Sequence, residues 1–437
     1  MKISSHTLGC KVNLYETEAV MNDFIDHGFI VADFSDACDV YLINTCTVTQ
    51  TSDAKSRKMI RQAIRRNPDA VIAVMGCYSQ LHPNQVADLA GVDIIIGTDN
   101  RHNLFDLVEE TLRTKKRRIW IDDILNVDSF EELRVRRFHK HTRGFIKIQD
   151  GCENFCSYCA IPFARGKVRS RKPENVISEV RQLVEGGIKE IILSGINTGA
   201  YGQDFDDYDL ADLLEELIAS NPHLPRIRIS SIELMEMSDK LIDCIRRNMQ
   251  HFAHHLHIPL QGGSDNTLKR MNRKYTISQY RENIEKIRTL LPGFAVTTDC
   301  LAGFVGETED DFLSSVAFIE SMRFSEMHVF PYSRRSKTAA DKMPGHLKDE
   351  IRTDRARILS ETSRTMAMEY RTKKVGTIAE VLVETHKEGI SYGRSSDYLE
   401  IGFPSEGNLD NQIVSVKITK AGYPLSHGEM IGKELEK

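Results

Sequence analysis

The sequence predicts an α/β protein in three parts: a doubly wound parallel-sheet domain, a partial (βα)6 barrel, and a small all-β barrel. Three observations carry this. Apolar strands alternate with helix-compatible stretches over the first 135 residues, which requires crossover connections and a parallel sheet. A second series of six strand–helix units follows, too few for a closed eight-stranded barrel. Near the C-terminus the apolar period switches from helical spacing to two. A chain of 437 residues is too long for one core, so several domains are expected.

In order, the first series places strands ending at Leu8–Cys10, Val40–Cys46 (VYLINTC), Val71–Cys77 (VIAVMGC) and Gly97 (VDIIIG). Helical stretches fall at Glu16–His27, Ser52–Arg66 and Asn84–Leu89. The second series has strands at Gly144–Gln149, Glu190–Ser194, Arg226–Ser230, Ala253–Ile258, Ala295–Cys300 and Glu326–Phe330, with helical patterns such as PENVISEVRQLVEGG and YTISQYRENIEKIRTLL between them. Six such units suit an open barrel with its site at the C-terminal strand ends. A charged helical stretch, His346–Lys374, reads as a linker. Beyond it GTIAEVLVE, SDYLEIGF and QIVSVKIT alternate apolar and polar residues, as in a five-stranded barrel of OB-like type. The expected domain limits are 1–135, 136–370 and 371–437.

Composition narrows the class. The N-terminus lacks the apolar core of a signal peptide and no apolar run approaches a membrane span, so a cytoplasmic location and no membrane partner are expected. Nine cysteines in a reducing compartment point to metal or catalysis before disulfides. The net charge of −5 does not announce a nucleic-acid binder, but basic residues cluster in Arg113–Arg118, in Arg134–Arg143, and in Arg165, Lys167, Arg169, Arg171 and Lys172. Such runs can bind phosphate on an acidic protein, or form a solvated surface balanced by acidic neighbours.

The chemistry concentrates in GCENFCSYCAIPFARGKVRSR (151–171). Cys152, Cys156 and Cys159 follow the first strand of the partial barrel. Three thiolates can hold a cubane of four irons, leaving one iron open to a small molecule. The competing reading is a zinc site completed by a histidine, with His139, His141, His254, His255 and His257 as candidates. A second triplet arises from topology. Cys10, Cys46 and Cys77 each end a predicted strand of one parallel sheet, the edge where open α/β sheets bind ligands. A second cluster with three protein ligands and an open iron, able to carry a sulfur atom for transfer, is expected there. Cys38 belongs at the opposite edge, and Cys244 and Cys300 read as buried small hydrophobes.

The whole chain resembles the methylthiotransferases of the radical S-adenosylmethionine superfamily, whose pattern is an N-terminal domain with three dispersed cysteines, a central radical domain and a C-terminal TRAM domain. The resemblance rests on TLGCKVN (Thr7–Asn13), INTC, MGC, the C-x-x-x-C-x-x-C triplet, SSIE (Ser230–Glu233), IPLQGGSDNTLKRMNRKYT and TDCLAGFVGETEDDF. Lys11-Val12-Asn13 after the first cysteine, together with ARGKVRSR, resembles the MtaB branch, whose substrate is N6-threonylcarbamoyladenosine at position 37 of tRNA. Sister branches act on isopentenyladenosine or on a ribosomal protein, and a non-enzymatic Fe–S RNA-binding sensor is the alternative of another class.

The resemblance implies two 4Fe-4S clusters, with S-adenosylmethionine serving as methyl donor and as radical source, and Cys10, Cys46, Cys77, Cys152, Cys156 and Cys159 as ligands and catalytic residues. It further implies cofactor contacts from Tyr158, Glu233 and Gln261. A tRNA anticodon loop, a reductant such as flavodoxin or ferredoxin, and a sulfur donor are the implied partners. In the TRAM-like segment Lys373, Lys374, Arg394 and Lys417 are the candidate RNA contacts. Two departures stand out: Leu260–Ser264 reads LQGGS where the family often has LQSGS, and Val305 replaces the proline of GFPGE.

Overall fold

The computed structural model describes residues 1–136, 138 and 142–431. Strands β1 (Lys2–Thr7), β2 (Ile30–Val31), β3 (Val40–Thr45), β4 (Val71–Gly76), β5 (Ile94–Ile96) and β6 (Arg118–Trp120) form one parallel sheet in the order β2-β1-β3-β4-β5-β6. Its centre is covered on both faces, which is why β3 and β4 are nearly continuous apolar runs. Val40 and Leu42 pack with Val20, Phe24, Leu104 and Val108 from helices Lys11–Asp26 and Leu104–Thr114. Tyr41 and Ile43 pack with Ile60 and Ala63 of helix Gln50–Arg66 on the other face. The first helix starts five residues before its expected start, directly after Cys10.

The central part contains β7 (Arg143–Lys147), the short antiparallel pair β8 (Gln149–Asp150) and β9 (Arg169–Ser170), then β10 (Glu190–Ser194), β11 (Ile227–Ile229), β12 (His255–His257), β13 (Ala295–Ala302) and β14 (Glu326–Pro331). Parallel pairing gives β7-β10-β11 and β12-β13-β14. Bridges from Ile227 to Phe252 and from Ser231 to His257 join the two sets, producing the open six-stranded barrel. The C-terminal strands β15 (Ile378–Lys387), β16 (Ile390–Ser395), β17 (Glu400–Pro404), β18 (Ile413–Lys420) and β19 (Leu425–Met430) close into a barrel in the order β15-β16-β17-β19-β18. Alternate residues Val414, Val416 and Ile418 fill its core. Among the described residues no helix is long and apolar enough to cross a membrane.

The charged stretch expected as a linker is instead a structural helix, Asp349–Lys374. It lies on the barrel: Leu359 and Met366 join the central core, Ser363 Oγ donates to the Met327 carbonyl at 2.7 Å, and Arg371 pairs with Glu326 at 2.9 Å. Most of its charges face solvent, but Arg355 and Arg371 are buried and paired with Glu307 and Glu326.

A buried ionic seam joins the first sheet to the barrel. Glu16 meets Arg101 at 2.5 Å, Arg165 at 2.5 Å and Lys147 at 2.9 Å. Asp150 meets Lys147 at 2.5 Å and Arg165 at 3.2 Å, while Glu131 meets Arg101 at 2.6 Å. Beside it, Arg171 pairs with Glu179 at 2.5 Å, and Tyr15 donates to the Leu133 carbonyl at 2.6 Å. The basic run after the triplet was expected as a phosphate-binding or solvated surface. The structure corrects this for three of its five residues: Arg165, Arg169 and Arg171 are buried and neutralised by Glu16, Asp150 and Glu179, while Lys167 and Lys172 stay exposed.

Two outcomes follow from this packing. Leu359→Ala should destabilise the protein by about 2–5 kcal/mol, the range for a buried leucine truncation; a urea midpoint unchanged from the parent would mean that the helix is a free linker. For the seam, burial alone would raise the Glu16 carboxyl, but Arg101, Arg165 and Lys147 outweigh it and hold it at about 2. Glu131 is likewise raised by burial yet held at about 2, chiefly by Arg101. A lowered folded pKa stabilises above the ordinary value, so this stability is complete above about pH 4.5 and drains as pH falls toward 2. Glu16→Gln should flatten that acid dependence. At pH 7 it should cost on the order of 3–5 kcal/mol, because buried cations lose their partner. Urea midpoints at neutral and acid pH check both.

Candidate active site

The N-terminal triplet forms where three neighbouring parallel strands end. Cys10 follows β1 and precedes the first helix, Cys46 follows β3, and Cys77 opens the short helix Cys77–Leu81 after β4. Parallel strands put these ends at one edge of the sheet. Tight loops draw them together. Gly9 and Gly76 have φ of +106° and +103°, a region that L residues with a Cβ rarely enter. A Cβ on Gly9 would stand 3.2 Å from Cys46 Sγ, and one on Gly76 would fall 2.4 Å from Asn44 Oδ1. Asn13 holds the first two loops in register by donating to the Leu8 carbonyl at 2.8 Å and the Thr45 carbonyl at 3.1 Å.

The radical-type triplet lies in the loop after β8. Cys152 N–H donates to the Gly166 carbonyl at 3.0 Å and Cys159 N–H to the Cys156 carbonyl at 2.9 Å. Ser157 and Phe155 are tied to Met271, Arg270 and Asn272. Arg273 Nη1 lies 3.4 Å from Cys156 Sγ and 3.1 Å from Glu233 Oε1. Glu233 and Cys156 thus face one small cleft, shared with Asn154, Glu236 and Tyr275. Burial pushes the Glu236 carboxyl up to about 8, and Asn197 donates to it at 2.5 Å. Tyr158 packs beside Met271 and Val305 and meets Phe304 edge-on. Gln261 is not part of this contact set: its backbone is left-handed at φ +68° and pairs with Asp299 and Leu301 of β13.

The two triplets meet through one short helix. Helix Ile161–Arg165 begins two residues after Cys159. Ala160 and Ala164 pack against Cys77 and Leu81, and Arg165 Nε lies 3.3 Å from Cys77 Sγ. The same guanidinium donates to Asn13 Oδ1 at 2.6 Å. Burial pushes the thiols of Cys77, Cys152 and Cys159 up to about 12, against the pull of Arg165 in the case of Cys77. Metal binding would have to displace those protons. Among the described residues no three His, Cys, Asp or Glu side chains converge on a single ion; a cubane instead spreads its thiolates over different irons.

The histidines proposed for a zinc site are engaged elsewhere. His254 stacks on Phe294, His255 stacks on Tyr398 and meets Thr297 at 2.8 Å, and His257 pairs with Asp299 at 3.3 Å. His139 and His141 lie outside the described residues. Cys38, Cys244 and Cys300 are buried in apolar clusters.

A cavity of about 770 Å³ opens between all three parts of the chain. Cys10 and Lys11 form one wall, Ser230, His257 and Asp299 belong to the barrel, and Arg394 and Tyr398 come from the small β-barrel. Lys373 and Lys417 are exposed. Lys374 instead pairs with Asp397 at 2.8 Å, and Arg394 stacks over Tyr398 at 4.7 Å and lies 3.5 Å from Glu400. Sequence reasoning missed Arg273, Glu236, Asn13 and Tyr398. Asn13 stands three residues after Cys10, one helical turn away, whereas nothing in the spacing of Arg273, Glu236 or Tyr398 marks them as neighbours of the site.

Comparison with known proteins agrees with this architecture. Residues 146–319 match the Radical SAM superfamily model, and residues 2–97 match the uncharacterized protein family UPF0004. A Bacillus subtilis (strain 168) relative named threonylcarbamoyladenosine tRNA methylthiotransferase MtaB is 43% identical over 98% of this chain and 96% of its own length. A Thermoanaerobacter pseudethanolicus relative named tRNA-2-methylthio-N(6)-dimethylallyladenosine synthase is 35% identical, covering 97% and 92%. Among solved structures, the radical S-adenosylmethionine methyltransferase TsrM from Kitasatospora setae shares the fold with a TM-score of 0.57 at 14% identity, over 90% of this chain and 80% of that one. By its identity to such relatives along nearly its whole length, the chain belongs to the radical S-adenosylmethionine methylthiotransferase family.

Proposed function

We propose that this protein methylthiolates N6-threonylcarbamoyladenosine at position 37 of tRNA, at the adenine carbon between the two ring nitrogens. It uses two 4Fe-4S clusters and S-adenosylmethionine. The observation that carries this reading is the contact of Arg165 with Cys77: the loop of one thiol triplet runs directly into the helix that covers the other, and Cys10 opens onto the shared cavity. The donor sets fit the implied clusters, since each offers three thiols and Gly9 keeps the space beside Cys46 Sγ free of a side chain. When bound, the cluster at Cys152, Cys156 and Cys159 supplies, with S-adenosylmethionine, a 5′-deoxyadenosyl radical, and the cluster at Cys10, Cys46 and Cys77 supplies the sulfur that is methylated and transferred.

The chain's own residues orient and insulate this chemistry. Arg273 balances negative charge between Cys156 and Glu233, and in the seam four cations, Arg101, Lys147, Arg165 and Arg169, face the three carboxylates of Glu16, Glu131 and Asp150. Of these cations Arg165 touches Cys77 and partly offsets the burial that holds its thiol protonated. Glu233 and Tyr158, with Gln261 on the neighbouring strand end, contact S-adenosylmethionine. Residues 1–135 hold the auxiliary cluster, 136–370 the radical chemistry, and 371–437 grip the RNA. Lys373 and Lys417 contact phosphate directly, whereas Lys374 and Arg394 first exchange carboxylate partners. These contacts offset the few kcal/mol needed to unstack the target base from its loop. A reductant of the flavodoxin or ferredoxin kind and a sulfur donor complete the cycle, in the cytoplasm.

Nucleoside mass analysis of tRNA from a deletion strain should show loss of the methylthio form of threonylcarbamoyladenosine alone; loss from isopentenyladenosine instead would overturn the substrate assignment. Alanine replacement of Cys152, Cys156 and Cys159 together should remove about half the iron of the anaerobically reconstituted protein and abolish 5′-deoxyadenosine formation. The corresponding change at Cys10, Cys46 and Cys77 should remove the other half, spare that cleavage and block methylthiolation. Full iron retention in the second variant would show that the sheet edge holds no cluster.

A further inference from the structure

The central cavity carries a charge pattern that its neighbours do not balance. Three of its wall cations already have carboxylate partners: Arg228 meets Glu190 at 2.8 Å, Arg371 meets Glu326 at 2.9 Å, and Arg394 lies 3.5 Å from Glu400. His257 likewise meets Asp299 at 3.3 Å. Lys11 is different. Among the described residues it has no carboxylate at ion-pairing distance, and its ammonium lies 6.0 Å from the ring centroid of Tyr398. That ring is itself held between Arg228 at 4.8 Å and Arg394 at 4.7 Å and stacks on His255. Tyr398 reaches this place from a tight turn of the small β-barrel, with φ of +73°. Where the small β-barrel meets β11 and β12, the cavity is therefore lined by an aromatic plate flanked by cations, and Lys11 beside it is without a carboxylate partner among the described residues.

A half-buried ammonium without an ionic partner gains from a carboxylate with matching geometry. Lys11 directly follows Cys10, so a ligand that presents its reacting carbon to the Cys10 loop has its remaining substituent within the same cavity. We infer that Lys11 reads the carboxylate at the end of the N6 substituent of the target adenosine, making it a specificity-determining residue. The inference rests on the substrate reading proposed above and adds to it a recognition element: a hydrocarbon N6 substituent would leave Lys11 unpaired, whereas the threonylcarbamoyl carboxylate pairs with it.

The test compares binding of three anticodon stem-loop RNAs to the reconstituted holoenzyme by fluorescence anisotropy: one with N6-threonylcarbamoyladenosine, one with its methyl ester, and one with N6-isopentenyladenosine. Product formation is measured on the first and third. The parent should bind the acid at least ~10-fold tighter than the ester, the scale of one charged hydrogen bond. In Lys11→Met, and in Lys11→Gln as a second variant, the acid-to-ester ratio should fall to within about twofold, while Lys11→Arg should retain most of it. Iron content verifies that each variant is folded, and a ratio taken within each variant cancels any general change in RNA affinity. Methylthiolation of the acid RNA by the parent with an undiminished ratio in Lys11→Met would overturn the role of Lys11 alone. Product on the isopentenyl RNA and none on the acid RNA would overturn the substrate reading beneath it.

Discussion

Arg165 is buried between two structural units and is satisfied only by both of them. Its guanidinium meets Glu16 and Asn13 from the first helix, Asp150 from the barrel, and the thiol of Cys77. A buried guanidinium that loses such partners is strongly destabilising, so the two units are held at one separation. Because Arg165 ends the helix that grows out of the Cys152–Cys159 loop, fixing it also fixes that loop against the Cys10–Cys46–Cys77 edge. The relative placement of six cysteines thus depends on one residue that is not a cysteine.

The small β-barrel contributes to the same arrangement from the opposite side. Arg228 donates to the Ser395 and Ser396 carbonyls, Arg143 pairs with Glu384 at 2.8 Å, and Asn411 donates to the Gly187 carbonyl. These contacts seat Tyr398 beneath the open barrel. A module that sequence reading would treat as an appended RNA grip is therefore also part of the cavity wall.

Much of this was legible in the sequence. Apolar runs such as Val40–Thr45 and Val71–Gly76 announce central parallel strands because both faces are buried, and the period of two in β18 announces a barrel with one wet face. Cys10, Cys46 and Cys77 could be placed at one edge because each stands where a strand stops. What could not be read was pairing across long separations. Arg165, Arg169 and Arg171 look like a surface patch until Glu16, Asp150 and Glu179 are brought beside them by topology. The helix Asp349–Lys374 looks like a linker because its buried positions are few among many charges. Tyr398 gives no signal at all: it is a lone aromatic in a turn, and its role arises from where the barrel docks.

The proposal that both cysteine triplets hold clusters is tested most directly by anomalous diffraction at the iron edge from crystals of the anaerobically reconstituted protein. The account predicts two iron sites of equal strength, one at Cys152, Cys156 and Cys159 beside the Glu233–Arg273 cleft and one at Cys10, Cys46 and Cys77 beside the cavity lined by Lys11 and Tyr398. A single iron site, or a second one away from either triplet, would contradict it.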